Sequence, residues 1–208
     1  METLVSVRDV SVRYGNYTAL EHASLDIFDD DFIGIIGPNG GGKTTLIKAI
    51  LGTVPYSGTI TLAPSLYADG KRLIGYMPQQ SDFDRNFPIS VVDVVMSGLQ
   101  SEKGFFHRYT GKDKARAMDL LEMADIADIA DRQIGEISGG QLQRTLLCRA
   151  IILSPKLLIL DEPANFVDNR FENELYTLLH RLNEHMAIVM VSHDIGTITS
   201  VVKNIVCV

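Results

Sequence analysis

Residues 37–45 read Gly37-Pro38-Asn39-Gly40-Gly41-Gly42-Lys43-Thr44-Thr45. This stretch fits the pattern G-x-x-x-x-G-K-[ST], in which glycines let the backbone direct its N–H groups at phosphate oxygens. Lys43 would add a positive charge at the β- and γ-phosphates, and the Thr44 hydroxyl would bind Mg²⁺. A glycine-rich turn without a ligand is the alternative, but it would not account for lysine followed by threonine. The motif predicts a P-loop, and it identifies a nucleotide-binding protein without saying of which kind.

The segments around this turn predict an α/β fold. Phe32–Ile36 is apolar apart from one glycine, as in a strand buried on both faces, and residues 44–51 have a helical pattern that Gly52 ends. Further strands are predicted at residues 10–14, 23–28, 157–160 and 187–191, and a further helix at residues 170–183. Strands that alternate with helices predict a mostly parallel central sheet covered by helices.

The segment at residues 81–137 differs from the rest of the chain. It has few β-branched runs and two helical patterns, at residues 90–99 and 113–124. We interpret it as a helical subdomain inserted into an α/β core formed by residues 1–80 and 138–208. The length of 208 residues fits this arrangement within one domain.

Composition limits the possible functions. The net charge is −7 with a pI near 5.2, and we find no basic stripe of the kind that nucleic-acid-binding proteins carry. Cys148 and Cys207 share no short-spaced motif, so two reduced thiols are expected rather than a disulfide framework. The first residues lack the features of a signal peptide, and no apolar run approaches the roughly 20 residues that span a bilayer. A role at a membrane would therefore require a partner protein.

Two adjacent acids, Asp161 and Glu162, follow the apolar run at residues 157–160. Asp161 is placed to hold Mg²⁺ through its water shell, as a Walker-B aspartate does. Glu162 is the better candidate to orient and deprotonate an attacking water. The alternative is that both acids end a strand and point to solvent, which becomes the minor interpretation when a P-loop lies in the same chain.

The stretch Ile137-Ser138-Gly139-Gly140-Gln141 precedes a helical pattern at residues 141–153. It resembles the signature sequence of ABC ATPases, which usually reads Leu-Ser-Gly-Gly-Gln, and the resemblance extends over nearly the whole chain. It implies the ABC type of P-loop NTPase fold, with an antiparallel β subdomain beside the parallel sheet. The implied activity is hydrolysis of ATP with Mg²⁺ as cofactor.

The resemblance also implies roles for individual residues. Tyr14 lies where the family stacks an aromatic side chain on adenine, with a core tyrosine as the alternative. Gln79 matches the Q-loop glutamine, with the adjacent Gln80 as the alternative, and His193 matches the switch histidine. The implied ATP-binding set is Tyr14 and residues 37–45; the implied catalytic residues are Glu162, His193, Lys43 and Gln79; the implied Mg²⁺ ligands are Thr44, Gln79 and Asp161.

The family resemblance further implies a homodimer in which two chains face head to tail around two ATP molecules. Each nucleotide would lie between the P-loop of one chain and Ser138, Gly139, Gly140, Gln141 and Asp168 of the other. Asp168 matches the D-loop aspartate. The three residues before it, Asn165-Phe166-Val167, depart from the Ser-Ala-Leu that is common in the family.

A narrower resemblance concerns the transported substrate. Residues 75–79, 87–98, 104–108 and 202–207 are similar to segments of the zinc/manganese-type metal ion importers. This implies a separate integral membrane permease, an extracytoplasmic substrate-binding protein as an indirect partner, and a place on the cytoplasmic face of the membrane. Three alternatives stay open: an importer ATPase for another substrate, a soluble ABC ATPase without a transport role, and a non-catalytic ATP-binding module.

Overall fold

The computed structural model describes residues 1–68, 71–79, 84, 86–100, 108–163, 169–193 and 195–208. The strands are β1 (Thr3–Tyr14), β2 (Tyr17–Phe28), β3 (Phe32–Ile36), β4 (Ser57–Leu62), β5 (Tyr67–Ala68), β6 (Lys71–Arg72), β7 (Ile74–Met77), β8 (Leu157–Asp161), β9 (Ala187–Val191) and β10 (Asn204–Cys207). The helices are α1 (Lys43–Ile50), α2 (Val91–Ser97), α3 (Gly111–Met123), α4 (Gly139–Ile151), α5 (Asn169–Asn183) and α6 (Ile195–Val201). None of these helices combines the length and the apolar character that crossing a membrane requires.

The central sheet has five strands in the order β10-β3-β9-β8-β7, and every pair of neighbours is parallel. All residues of β3, β8 and β9 are buried, as their continuous apolar sequences predict. Alternate residues of β8 face opposite cores: Leu157 and Ile159 face one, and Leu158 and Leu160 face the other. The sheet is therefore the middle layer of the fold, and the prediction of a parallel sheet is confirmed.

The first of these cores lies between the central sheet, helix α1 and a three-stranded antiparallel sheet of order β2-β1-β4. This second sheet confirms the antiparallel part of the expected fold. Its strands β1 and β2 are much longer than the predicted segments at residues 10–14 and 23–28. Asp9 and His22 adopt positive φ angles of 53° and 50°, and register shifts interrupt the pairing of β1 with β2. These bulges break the two-residue alternation on which the prediction depended.

Helices α2, α3 and α4 pack together in the second core, which also includes residues of α5 and α6. Helices α2, α3 and α4 each begin with a residue whose side chain caps the helix. Ser90 caps α2, Thr110 and Asp113 form a capping box on α3, and Ser138 and Gln141 form one on α4. The predicted helices are confirmed, with α3 and α4 beginning two residues earlier than expected. The division into an α/β core and a helical subdomain stays a prediction.

Candidate nucleotide-binding site

The glycine-rich turn leaves the carboxyl end of β3 and leads directly into α1. Gly40 and Gly42 have φ angles of 80° and 96°, which side chains strongly disfavour. A Cβ atom on Gly42 would lie 2.6 Å from the backbone oxygen of Ala19 on β2. No side chain caps α1 at Gly42. The first backbone N–H groups of α1 are thus left for another acceptor, and a phosphate is the acceptor that such a helix start suits.

The side chain of Lys43 is buried against the turn that it follows. Its Nζ atom donates hydrogen bonds to the carbonyl oxygens of Gly37 and Pro38, both at 2.9 Å. Within the described residues the hydrogen bonds of Nζ go to these two carbonyls and not to a carboxylate, so the ammonium keeps its charge. The charge is held at the turn and remains available to an anionic ligand.

The Thr44 hydroxyl and Asp161 meet although they are far apart in sequence. Thr44 Oγ1 donates to Asp161 Oδ1 at 3.3 Å, and Asp161 is buried at the end of β8. A hydroxyl and a carboxylate are both hard oxygen ligands of the kind that Mg²⁺ prefers. The two side chains therefore fit the metal that the sequence predicts, at the edge of the sheet from which the P-loop also emerges.

Glu162 follows β8 directly and has a positive φ angle of 53°. Its backbone N–H donates to the carbonyl of Val191 at 3.0 Å, which ties it to the end of the neighbouring strand β9. The Glu162 side chain is 11% exposed, and its Oε1 atom lies 3.5 Å from Nδ1 of the half-exposed His193. Because β8 and β9 are parallel neighbours, the residues that follow them meet at one edge of the sheet. The interpretation of Glu162 as a solvent-directed acid is therefore wrong.

These elements surround one cleft of about 280 Å³. Its walls contain Tyr14, Asn39, Gln79 and Glu162 together with residues 40–45. Tyr14 is 47% exposed, so it is not a core tyrosine. Gln80, the alternative to Gln79, lies outside the described residues. The structure thus brings together the P-loop, Glu162 and the predicted Q-loop glutamine Gln79. Asp161 contacts Thr44 of the P-loop, and His193 contacts Glu162.

Tyr17 also lines the cleft, and the sequence analysis missed it. It pairs directly with Tyr14 across the two-residue turn between β1 and β2, and its hydroxyl lies 3.5 Å from the carbonyl oxygen of Gly40. The signal was present in the sequence, because Gly15-Asn16 is a turn dipeptide between two strand patterns. Directly opposed residues of a hairpin project from the same face, so a role for Tyr14 places Tyr17 beside it.

The signature residues lie elsewhere. Ser138, Gly139, Gly140 and Gln141 are absent from the walls of the cleft and form the start of α4. Ser138 Oγ accepts from the backbone N–H of Gln141 at 3.2 Å, and the Ser138 N–H donates to Gln141 Oε1 at 3.0 Å. Asp168 and the rest of the predicted D-loop, residues 165–167, lie outside the described residues. Within one chain the signature residues therefore do not complete the cleft.

The geometry agrees with comparisons to known proteins. A family model described as ABC transporter matches residues 20–165. The chain belongs to the ABC transporter family. It is an ABC ATPase, which binds ATP and hydrolyses it. A solved ABC transporter in an inward-facing conformation contains a chain that superimposes with a TM-score of 0.88 at 27% identity, over 99% of this chain and 80% of that one.

Two relatives within the ABC family illustrate the sequence similarity. The high-affinity zinc uptake system ATP-binding protein ZnuC of Bacillus subtilis is 40% identical, covering 92% of this chain and 84% of the relative. The manganese transport system ATP-binding protein MntB of Listeria monocytogenes is 35% identical, covering 97% and 85%. A dimeric bacterial ABC transporter cassette shares the fold with a TM-score of 0.82 at 24% identity, over 99% of this chain and 94% of that one.

Proposed function

We propose that this chain is the ATP-hydrolysing subunit of an importer that moves a divalent metal ion, such as zinc or manganese, through a separate membrane permease. The convergence of Lys43, Thr44, Asp161, Gln79 and Glu162 at one edge of the sheet carries the catalytic part of the proposal. The metal specificity is supported by the names of relatives that are 35–40% identical over most of the chain.

In the proposed reaction the P-loop binds the triphosphate through its backbone N–H groups and Lys43. Thr44, Asp161 and Gln79 would hold Mg²⁺, which when bound supplies positive charge next to the β- and γ-phosphates. Glu162 orients the attacking water and takes its proton as the water oxygen bonds to the γ-phosphorus. The bond from that phosphorus to the β–γ bridging oxygen breaks at the same time, and ADP and phosphate leave. His193, 3.5 Å from the Glu162 carboxylate, keeps that carboxylate in place and contacts the γ-phosphate. Tyr14 stacks on the adenine.

We further propose that two chains form the complete site. Ser138, Gly139, Gly140, Gln141 and Asp168 of one chain would contact the nucleotide held by the P-loop of the other. Two observations support this arrangement: the signature residues do not line the cleft of their own chain, and the fold is shared with cassettes solved as dimers. Hydrolysis would then require closure of the dimer.

The proposed partners follow from the transport role. Closure of the dimer would reach the permease, on the cytoplasmic face of the membrane, by two routes. One is the Gln79 loop, and the other is the proposed helical subdomain at residues 81–137. A substrate-binding protein outside the membrane would act through the permease. Nucleic acid is not a proposed partner, because the chain carries a net charge of −7.

The proposal is tested by reconstituting the chain with its co-purified permease in lipid vesicles. We expect ATP turnover to rise when a zinc- or manganese-loaded binding protein is added, and not with the metal-free binding protein. The same assembly containing Glu162→Gln measures contaminating ATPase activity. Stimulation by a different substrate alone would identify an importer of another class. Full turnover with no permease association would indicate an ATPase without a transport role.

A further inference from the structure

One largely buried arginine joins three helices of the second core. Arg144 lies on α4, about two turns after the signature residue Ser138, and its side chain is 14% exposed. Its Nη1 group donates to the carbonyl oxygen of Ala124, at the end of α3, at 2.7 Å. Its Nη2 group donates to Oε2 of Glu174 on α5. We call these two bonds the Arg144 link, because they connect α4 to α3 and to α5.

The α3 side of the Arg144 link is a helix end. Asp125 follows Ala124 and has a φ angle of 56°, the left-handed conformation with which many helices stop. The Ala124 carbonyl is therefore among those that have no partner within α3, and Arg144 supplies the donor. Asp125 Oδ2 also lies 3.9 Å from Nη1, but its side chain is fully exposed, so this ion pair contributes little. Capping of α3 accounts for the bond to Ala124 and not for the bond to Glu174.

Stability alone does not account for the bond to Glu174 either. Glu174 is 46% exposed, and an ion pair with one exposed partner adds little to the free energy of folding. Leu175 and Leu178 already pack α5 into the core that it shares with α4. Apolar packing is non-directional, so it constrains the position of one helix along another less sharply than a hydrogen bond does. The N–H groups of a planar guanidinium have fixed directions, and the Arg144 link therefore restricts how α5 lies beside α4.

The helices α4 and α5 begin at the segments that are proposed to reach the second chain. Helix α4 begins directly after Ser138, and α5 begins at Asn169, directly after Asp168 in the sequence. At 1.5 Å per helical residue, Arg144 lies about 9 Å along α4 from Ser138, and Glu174 lies about 8 Å along α5 from Asn169. The Arg144 link is thus at a similar distance from both helix starts, and it restricts the spacing between them.

We propose that Arg144 is a positioning residue: with Glu174 it fixes the start of α4 relative to the start of α5, so that the signature residues and Asp168 reach the opposite nucleotide together. This inference rests on the two-chain site of the proposed function. Neither Arg144 nor Glu174 belongs to the cleft walls that the structure describes. Loss of the bond to Glu174 should therefore impair closure of the dimer and leave nucleotide binding within one chain intact.

Hydrogen exchange tests the Arg144 link within a single chain. Glu174→Gln removes the charge at nearly constant size and leaves the bond from Arg144 to Ala124 in place. We expect the backbone amides of residues 173–178 on α5 to exchange at least about threefold faster, with those of α1 unchanged. Glu184→Gln, an exposed acid just after α5, is the matched control and should change neither. Unchanged exchange in Glu174→Gln would show that α5 is held without the ion pair, and would overturn the proposal.

The dissociation constant of the ATP-bound dimer tests the positioning role. Analytical ultracentrifugation measures it in full chains that carry Glu162→Gln, the variant expected to trap the dimer. Adding Glu174→Gln should raise it about tenfold, because each chain would be competent for only part of the time and the two fractions multiply. The affinity of the monomer for a fluorescent ATP analogue should stay the same. A role limited to capping α3 predicts no change in either quantity.

The two proposals fail in different ways. If the parent Glu162→Gln dimerises and Glu174→Gln leaves its dissociation constant unchanged, the positioning role alone is overturned. If the parent stays monomeric with ATP, the two-chain site itself is contradicted, and the positioning role falls with it.

A double-mutant cycle shows whether Arg144 and Glu174 act together. Arg144→Lys keeps the charge and removes the planar set of donors, so it should weaken the trapped dimer at least as much as Glu174→Gln does. Because both residues belong to one link, the double variant should dissociate no more readily than Arg144→Lys alone. Fully additive effects would show that the two residues act independently, and would overturn the proposal.

Discussion

The two glycine-rich helix starts of this chain, those of α1 and α4, are built in opposite ways. At α1 the N-cap is Gly42, no side chain bonds to the free N–H groups, and the following Lys43 is buried. At α4 the Ser138 and Gln141 side chains form a complete capping box with the backbone. The start of α1 is therefore incomplete without a ligand, whereas the start of α4 is satisfied within one chain. The first suits phosphate binding within one chain, and the second suits a contact that forms only when another chain approaches.

The largest expected effect comes from the charge at the α1 start. Lys43→Ala should abolish ATP turnover and weaken ATP binding by at least about tenfold, because it removes the cation that the turn holds at the phosphates. Equilibrium binding of a fluorescent ATP analogue and phosphate release measure the two effects. Lys48→Ala, an exposed lysine on the same helix, is the control and should change neither. Normal turnover in Lys43→Ala would contradict the P-loop assignment.

The next effect concerns the acid that faces this helix start. Glu162→Gln should lower turnover roughly 100- to 10,000-fold, which is the usual contribution of a general base, while ATP binding persists. Because hydrolysis then no longer opens the dimer, the variant should accumulate as a closed dimer with ATP. Light scattering after size-exclusion chromatography measures this state, and Glu122→Gln on the surface of α3 is the control. A variant that remained monomeric with ATP would contradict the composite site formed with α4 of a second chain.

A third prediction tests the backbone of the α1 start. Gly42→Ala places a Cβ atom 2.6 Å from the Ala19 oxygen at a φ angle of 96°, and the strain alone should cost about 1–3 kcal/mol in the free energy of unfolding. Gly111→Ala, at the start of α3, has no atom within 4 Å of its new Cβ and should change stability by less than about 1 kcal/mol. Urea unfolding compares the two. Equal effects would show that the turn accommodates a side chain and is not shaped closely around phosphate.

The sequence predicted the buried strands and the P-loop because both have local signals. Continuous apolar runs identified β3, β8 and β9, and the spacing of glycines and lysine identified the turn before α1. It missed β4, β7 and β10 because none of them is buried continuously along its length, and it missed β5 and β6 because each has only two residues. The seven residues of α6 are too few for a helical period to stand out. It shortened β1 and β2 because bulges at Asp9 and His22 interrupt their alternation.

Contacts between distant segments could not be predicted from such local signals. The contact of Thr44 with Asp161 depends on how the strands are ordered within the sheet, and so does that of Glu162 with His193. Strand order follows from the packing of the whole chain rather than from any single segment. Tyr17 is the exception, because the turn dipeptide Gly15-Asn16 is visible in the sequence and places Tyr17 opposite Tyr14.

The smallest expected effect separates the two helix starts most clearly. Ser138→Ala removes the α4 cap and should cost about 1 kcal/mol of stability, and Thr110→Ala should cost the same because it removes an equivalent capping box from α3. Thermal unfolding measures both costs. ATP turnover should fall only in Ser138→Ala, since Ser138 would contact the nucleotide of the opposite chain, whereas ATP affinity of the isolated monomer should be unchanged in both. If the two variants lost turnover equally, the loss would come from weakened helices, and the start of α4 would have no direct part in the site.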